Sequence, residues 1–168
     1  MSTDVCRHTF VKDAIRGTLA RYGISTDNEP NYYSYVGEHH RPDLTVRMIG
    51  EKNIAIDVTI VKPDEKEIGK AAKQAAAKKN EIHSDVVAKF EHVFIPFALE
   101  TSGHMDESCF EFFKKIKNQV QFHQRIQFGR DFFGAISAAL AKYRARSMIA
   151  AAGNSFLSTS SNINFNQH

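Results

Sequence analysis

Apolar and polar residues follow two different periods along the chain. In some segments apolar residues recur at helical spacing, which predicts amphipathic helices with one buried face. These predicted helices cover residues 5–22, about 64–83, about 107–127 and 131–151. Other segments alternate apolar and polar residues, or are rich in β-branched and aromatic residues, which predicts strands. The predicted strands cover residues 31–36, 43–48, 54–61 and 91–99.

The order of these elements predicts a fold of the α/β class, in the broad sense that includes α+β. A helix, three strands, a helix and a further strand form an αβββαβ unit, and two extra C-terminal helices follow it. Such an order builds a small mixed sheet flanked by helices. We expect a single domain over residues 1–152. Residues 153–168 contain no Asp, Glu, Lys or Arg and are mostly Asn, Ser and Gln, which predicts a disordered polar tail.

The composition agrees with one globular domain. The chain has 168 residues, of which 42% are hydrophobic and 24% are charged, close to the averages for such domains. No apolar run is long enough for a membrane span, and the first residues lack the apolar core of a secretory signal. Cys6 and Cys109 are far apart and show no paired spacing, which argues against a disulfide framework. We therefore expect an intracellular protein, cytoplasmic or nuclear, that is not secreted and has no membrane partner.

The positive charge is concentrated in one part of the chain. The formal net charge is +3 and the pI is about 8.8. Residues 62–89 carry most of the clustered lysines and could follow a phosphate backbone. A solvated helix face with Glu and Lys one turn apart is the alternative explanation. The residues that we expect to contact nucleic acid are Arg41, Lys62, Lys70, Lys73 and Lys78.

Two aspartates are the strongest candidates for chemistry. Asp43 follows Pro42 at the start of a predicted strand, and Asp57 lies inside a nearly continuous apolar strand. An unpaired carboxylate in that position is costly, which favours a functional role for Asp57. Carboxylates on paired strands can converge on one hard divalent cation such as Mg²⁺ or Mn²⁺. Alternatively, Asp43 ends a turn and Asp57 points to solvent.

These residues carry a resemblance to the PD-(D/E)XK nuclease superfamily, whose core is an αβββαβ unit. Its signature is Pro-Asp, a spacer, then an acidic residue, any residue and Lys; here Pro42-Asp43 and Asp57-Val58-Thr59 stand in those places. Over about residues 5–150 the chain also resembles the nuclease-like domain that follows the reverse transcriptase in many eukaryotic retroelement open reading frames. The order of several short motifs carries this second resemblance: Cys6-Arg7-His8, Val11-Lys12-Asp13, Glu29-Pro30, Arg41-Pro42-Asp43, Asp57-Val58-Thr59 and residues 95–103. The resemblance implies a restriction-endonuclease-like core and metal-dependent cleavage of phosphodiester bonds.

The chain departs from the superfamily signature at Thr59, where the superfamily has lysine. Threonine cannot supply the cation that orients or activates the attacking water. Helical winding places Lys79 in the middle of the apolar face of the second predicted helix. We therefore expect Lys79 to act as a migrated catalytic lysine, with Lys78 as the second choice. The alternative is a lysine whose alkyl stem follows the surface and whose charge stays in water.

Two further residues are assigned to the metal by resemblance. His8 is in register with the apolar face of the first predicted helix, where a lone histidine is more often a satisfied core residue. However, the set His8, Glu29, Asp43, Asp57 and a helical lysine is similar in order to the metal-binding set of the cap-snatching endonucleases of segmented negative-strand RNA viruses. That similarity implies that His8 and Glu29 join the two aspartates as metal ligands. Glu38 competes with Glu29 for this assignment.

The sequence therefore predicts a divalent-metal-dependent endonuclease, with Mg²⁺ or Mn²⁺ as cofactor, Asp43, Asp57 and Lys79 as catalytic residues, and DNA favoured over RNA as substrate. It resembles nucleases of mobile elements or viruses. The first alternative is a catalytically inactive nucleic-acid-binding domain of the same fold, which the missing lysine at Thr59 motivates. The second is an oligomerisation module built on the last two helices. Their phenylalanines could form core or a homodimer surface.

Overall fold

The computed structural model describes residues 3–31, 33 and 41–160. The chain begins with helix α1 (Thr3–Arg21), followed by strands β1 (Thr26–Asn28), β2 (Leu44–Val46) and β3 (Ile54–Val61). Helix α2 (Lys70–Ala88) then leads to strand β4 (Val93–Glu100). Helix α3 (Glu107–Gln119), a 3₁₀ turn (Phe122–Gln124) and helix α4 (Arg125–Ser160) complete the fold. The expected α/β class is confirmed, and its elements occur in the order αβββαβ followed by two helices.

The four strands form one mixed sheet in the order β1-β2-β3-β4. Strands β1, β2 and β3 pair antiparallel, whereas β3 and β4 pair parallel along their full length, from Ile54 opposite Val93 to Val61 opposite Glu100. A parallel pair requires a crossover connection, which α2 provides. The β2–β3 pairing covers only Ile54–Ile56 of β3. The outer part of β3 therefore extends beyond its antiparallel neighbour.

Helices cover both faces of the sheet. Alternate residues of β3, such as Ile54 and Ile56, join the larger core with α1, α3 and α4. The other face of β3, which includes Ala55, packs against Val86 and Val87 of α2. Because side chains alternate across a strand, the residues in step with Ala55 lie under α2. Those residues include Asp57 and Thr59.

Aromatic rings join α3 to α4. Phe128 and Phe132 of α4 are fully buried, and the Phe113 ring of α3 stacks parallel on Phe128 with centroids 5.6 Å apart. Most of the C-terminal phenylalanines are therefore core. Met148 and Ile149 of α4 are exposed, and the homodimer through these helices stays a prediction. Within the described ranges, no helix has the length and apolarity that a membrane crossing requires.

Two predicted boundaries at the N-terminal side differ from the structure. The Tyr-rich segment 31–36 lies mostly outside the described residues, and its described Asn31 and Tyr33 are in a 3₁₀ turn rather than a strand. The first strand is instead the polar β1, which pairs with β2. Helix α2 begins at Lys70 instead of near residue 64, because the Asp64 carboxylate accepts the backbone N–H groups of Lys66 and Glu67 in a turn.

The C-terminal helices differ in their ends. Helix α3 stops at Gln119, where Val120 takes an extended conformation, and α4 starts at Arg125. Helix α4 continues to Ser160, so residues 153–160 of the predicted tail are helical. The segment before them is rich in alanine and contains no proline, which favours helix. Residues 161–168 lie outside the described ranges.

Gly69 is required at the start of α2. Its φ is +83°, and a Cβ built on it would lie 2.4 Å from Nε2 of His104. We expect Gly69→Ala to lower the free energy of unfolding by about 1–3 kcal/mol, through backbone strain and steric overlap. The matched control is Gly134→Ala in α4, where nothing lies within 4 Å of the added Cβ. That change should raise stability by about 0.5–1 kcal/mol. Urea denaturation of both variants checks the pair, and equal effects would contradict this role for Gly69.

Candidate metal centre and its lysine

The sheet register brings the two aspartates together. Leu44 of β2 is paired with Ile56 of β3 in an antiparallel register. Asp43, which precedes Leu44, therefore lies opposite Asp57, which follows Ile56. Both aspartates are buried, and each carboxyl group lies close enough to shift the pKa of the other. The structure therefore places the predicted pair opposite each other, just before β2 and within β3, which the sequence could only suggest.

Asp43 is held by a side chain and a backbone group from two elements. Its Oδ2 lies 2.6 Å from Nε2 of His8 on α1 and accepts the backbone N–H of Val58 at 2.6 Å. Val58 belongs to the part of β3 that extends beyond β2, so this carboxylate takes the place of a backbone acceptor. His8 lies one turn before the buried Val11 on α1, and its ring is partly exposed. The predicted proximity of His8 to the aspartates is thus present in the structure.

Lys79 reaches Asp57 from above the sheet. Its Nζ lies 2.5 Å from Oδ2 of Asp57, and its side chain is 31% exposed, so the ammonium is open to solvent on one side. Two small buried residues, Ala72 and Ala76, let the N-terminal half of α2 approach the strands closely. Lys79 follows on the same side of the helix. The structure therefore pairs the expected helical lysine directly with the central carboxylate.

The pKa values of the two carboxyl groups are shifted in opposite directions. Burial, reinforced by the negative charge of Asp43, raises the pKa of Asp57 to about 6 even though the Lys79 ammonium opposes the shift. For Asp43, burial alone would raise the pKa, but the hydrogen bond and charge of His8 and the Val58 N–H outweigh it and lower the value. The hydrogen bond to Asp43 raises the pKa of His8. Below about pH 6, Asp57 therefore holds a proton while Asp43 carries the negative charge that His8 stabilises.

Glu29 lies beside the two aspartates, but its carboxylate forms ion pairs with two basic side chains. Its backbone N–H donates to the carbonyl of Asp43 at 2.8 Å, and its side chain accepts from the buried Lys12 ammonium. Arg41 contacts the other carboxylate oxygen at 3.4 Å. The Lys12 hydrogen bond and charge lower the pKa of Glu29. The structure thus puts Glu29 next to Asp43, and its role as a metal ligand stays a prediction. Glu38 lies outside the described residues.

The predicted nucleic-acid-binding lysines do not share one surface. Lys78 lines a groove between α2 and the outer end of β3, together with Lys79. Lys73 instead lines a groove between α2 and α3 that also contains Asp106 and Glu107. Lys62 is exposed after β3, and Lys70 forms an ion pair with Glu67 at 3.2 Å. Lys78 is therefore the predicted contact that lies nearest in the fold to Lys79.

The residue types of the pair suit a divalent cation, because carboxylate oxygens are the ligands that Mg²⁺ and Mn²⁺ prefer. His8 lies beside them, but its Nε2 is bonded to Oδ2 of Asp43, so it can become a ligand only by leaving that contact. Asp43, Asp57 and His8 would hold such an ion.

Sequence reasoning missed two residues of this site. His83 is 2% exposed, and its Nε2 lies 3.8 Å from Oδ2 of Asp57. It follows Lys79 by four residues, so the helical phase that identified Lys79 also pointed to His83. Lys12 follows His8 by the same spacing and was assigned no function. Its burial beside Glu29 depends on the path of the chain after β1, which periodicity does not reveal.

The raised pKa of Asp57 has a consequence for metal-free stability. The folded state holds the Asp57 proton more tightly than the unfolded state, so this group's contribution to stability falls as pH rises from about 4 to about 6. We expect Asp57→Asn to increase the free energy of unfolding by about 2–3 kcal/mol at pH 8 in EDTA, because the amide carries no charge. Denaturant melts between pH 4 and pH 8 measure this.

Asp43→Asn is the matched control for that experiment. The lowered pKa of Asp43 means that its carboxylate stabilises the fold above its unfolded pKa and loses this effect as pH falls. The Asp43 variant should therefore be less stable than wild type at pH 8. If Asp57→Asn and Asp43→Asn change the free energy of unfolding in the same direction at pH 8, the assignment of charge within the pair is contradicted.

Comparison with known proteins gives no family assignment. The chain matches no protein-family model and no curated protein sequence. The features that point to a function are the neighbouring side chains of His8, Asp43, Asp57 and Lys79.

Proposed function

We propose that the protein is a divalent-metal-dependent nuclease that hydrolyses phosphodiester bonds. The observation that carries this proposal is the convergence of His8 from α1, Asp43 before β2, Asp57 from β3 and Lys79 from α2. The imidazole contacts one carboxylate and the partly exposed ammonium contacts the other, so these groups form a site that can hold a cation and an anionic substrate together.

The topology supports placing this site on a restriction-endonuclease-like core of the PD-(D/E)XK type. The order helix, three antiparallel strands, helix and parallel strand is the one that the resemblance implies. Pro42-Asp43 and Asp57 occupy the signature positions, and Lys79 provides the cation that Thr59 cannot. In this proposal the lysine has moved from the strand to the helix that covers it.

The metal and the protein groups have separate roles in the proposed reaction. Asp43, Asp57 and His8 would hold Mg²⁺ or Mn²⁺, and the bound ion would polarise the scissile phosphate and lower the pKa of a water. Lys79 stabilises the negative charge that develops on the phosphate, and it orients the attacking water. The Val58 N–H holds Asp43 in place, and His8 would leave Asp43 to bind the ion. We propose DNA rather than RNA as the substrate and an intracellular location.

The direct test is cleavage of labelled single- and double-stranded DNA and RNA with Mn²⁺, Mg²⁺ or EDTA. We expect metal-dependent cutting by the wild type and none by Asp57→Ala, because this carboxylate is at the centre of the site. Lys79→Ala should slow cutting by about 10²–10³-fold, the usual effect of removing one transition-state-stabilising group. Lys79→Arg should recover part of the rate, since it retains the charge.

Lys52→Ala is the charge-matched control for the lysine variant. Lys52 is exposed in the connection between β2 and β3, away from Asp57. Its removal should leave the cleavage rate within about twofold of wild type. Full activity of Asp57→Ala would overturn the proposed nuclease. Equal losses of cleavage rate in Lys79→Ala and Lys52→Ala would remove Lys79 from the mechanism.

The second candidate is a nucleic-acid-binding domain without catalysis. Thr59 in the signature position favours it, and so does the ion pair with Asp57, which neutralises the Lys79 ammonium. The two candidates differ in metal binding. If the pair holds a cation, Mn²⁺ at about 100 times its Kd should stabilise the wild type by about 2.7 kcal/mol. Thermal melts of wild type and Asp57→Ala with Mn²⁺ measure this, and an inactive binder should show no metal-dependent shift in either.

A further inference from the structure

An open groove lies beside the carboxylate pair, between α2 and the outer end of β3. Its volume is about 620 Å³, and Val61, Ala71, Ala75 and Ile82 provide apolar walls. Lys79 connects the groove to the aspartates, because it lines the groove while its Nζ contacts Oδ2 of Asp57. A group bound in the groove is therefore adjacent to the site proposed for the scissile phosphate.

The charge of the groove selects an anionic occupant. Among the described residues that line it, the charged ones are Lys78 and Lys79. Both are cationic, in contrast to the groove on the α3 side, where Lys73 and Lys114 are accompanied by Asp106, Glu107 and Glu111. Because the Lys79 ammonium is paired with Asp57, Lys78 supplies the positive charge that a phosphate of the occupant can meet.

Two residues with polar side chains, Thr59 and Gln74, line this groove. Thr59 Oγ1 is buried and has no hydrogen-bond partner among the described residues. The Gln74 amide also lines the groove, and Gln74 is exposed. A few hydrogen-bonding groups set in apolar walls are typical of pockets for small organic ligands. A nucleobase is a group of this kind, because its faces are apolar and its edges carry donors and acceptors.

We infer that this groove binds the base of an unpaired nucleotide next to the phosphate that is cut. Apolar walls contact the faces of the base, Thr59 and Gln74 bind its edge, and Lys78 contacts the adjoining phosphate. A base inside a duplex is stacked and paired, so it enters the groove only after it leaves the helix. This inference rests on the proposed nuclease site and specifies its substrate as a single-stranded or locally unpaired chain.

Binding measurements without catalysis test the inference. Fluorescence anisotropy in EDTA compares single-stranded DNA, an abasic sugar-phosphate oligonucleotide of equal length and duplex DNA. We expect the wild type to bind single-stranded DNA about tenfold more tightly than the abasic chain, a typical effect of one bound base. Ala75→Leu fills the groove and should reduce the affinity for single-stranded DNA to that for the abasic chain.

Two further variants separate the groove from general effects on folding. Ala77→Leu makes the same change at an exposed position on the other side of α2 and should leave binding unchanged. Thr59→Val removes the unpartnered hydroxyl with little change of shape. It should weaken single-strand binding by about threefold or more without lowering the melting temperature, because no internal hydrogen bond is lost.

The outcomes distinguish this inference from the proposed function. Equal affinity of the wild type for the normal and abasic chains, or full affinity of both Ala75→Leu and Thr59→Val, overturns the base-binding groove. If the protein still cuts DNA in that case, the nuclease proposal stands alone. Base-dependent binding that these variants abolish, without cleavage in any metal, supports the groove and rejects the nuclease.

Discussion

The buried carboxylate of Asp57 is the constraint on which the site depends. A charge in an otherwise apolar strand, covered by a helix, destabilises the fold unless other groups compensate it. Here the compensation comes from the Lys79 ammonium, which lies against one oxygen, whereas the neighbouring charge of Asp43 adds to the cost and raises the pKa of Asp57 to about 6. Asp43 is in turn held by His8 and the Val58 N–H. The two neighbouring aspartates thereby tie α1, β2, β3 and α2 together at the point where β3 extends past β2.

The parallel pairing of β3 with β4 makes this arrangement geometrically possible. Its eight-residue register fixes β3 on one side, and the crossover places α2 over the face that carries Asp57. Along α2, Ala72, Ala76, Lys79 and His83 form one stripe at helical spacing. The two alanines allow close packing on the strands, and the two longer side chains then meet Asp57. Small residues in the first half of the helix therefore determine how far the lysine must reach.

The periodicity of apolar residues predicted those strands and helices whose buried residues recur at regular spacing. The bounds of β3 and the phase of Lys79 follow from such spacing, because a strand and a helix each repeat their buried positions. The prediction of a strand in the Tyr-rich segment was wrong for its described residues. Tyr33 is buried for another reason, because its hydroxyl contacts Nδ1 of His92 at 2.5 Å. Strand β1 has no apolar signal, because its three polar residues are held by backbone pairing with β2.

Glu29 shows where residue type alone is insufficient to assign a metal ligand. Its φ of +44° is in the left-handed region, an uncommon conformation for a residue with a side chain. That backbone lets the N–H bind Asp43 while the carboxylate reaches Lys12. Moving the carboxylate onto a metal would leave Lys12, which is 6% exposed, without its partner, and a buried unpaired charge is strongly destabilising. Glu29 can therefore join the metal only if another anion replaces it at Lys12, and a substrate phosphate has the required charge.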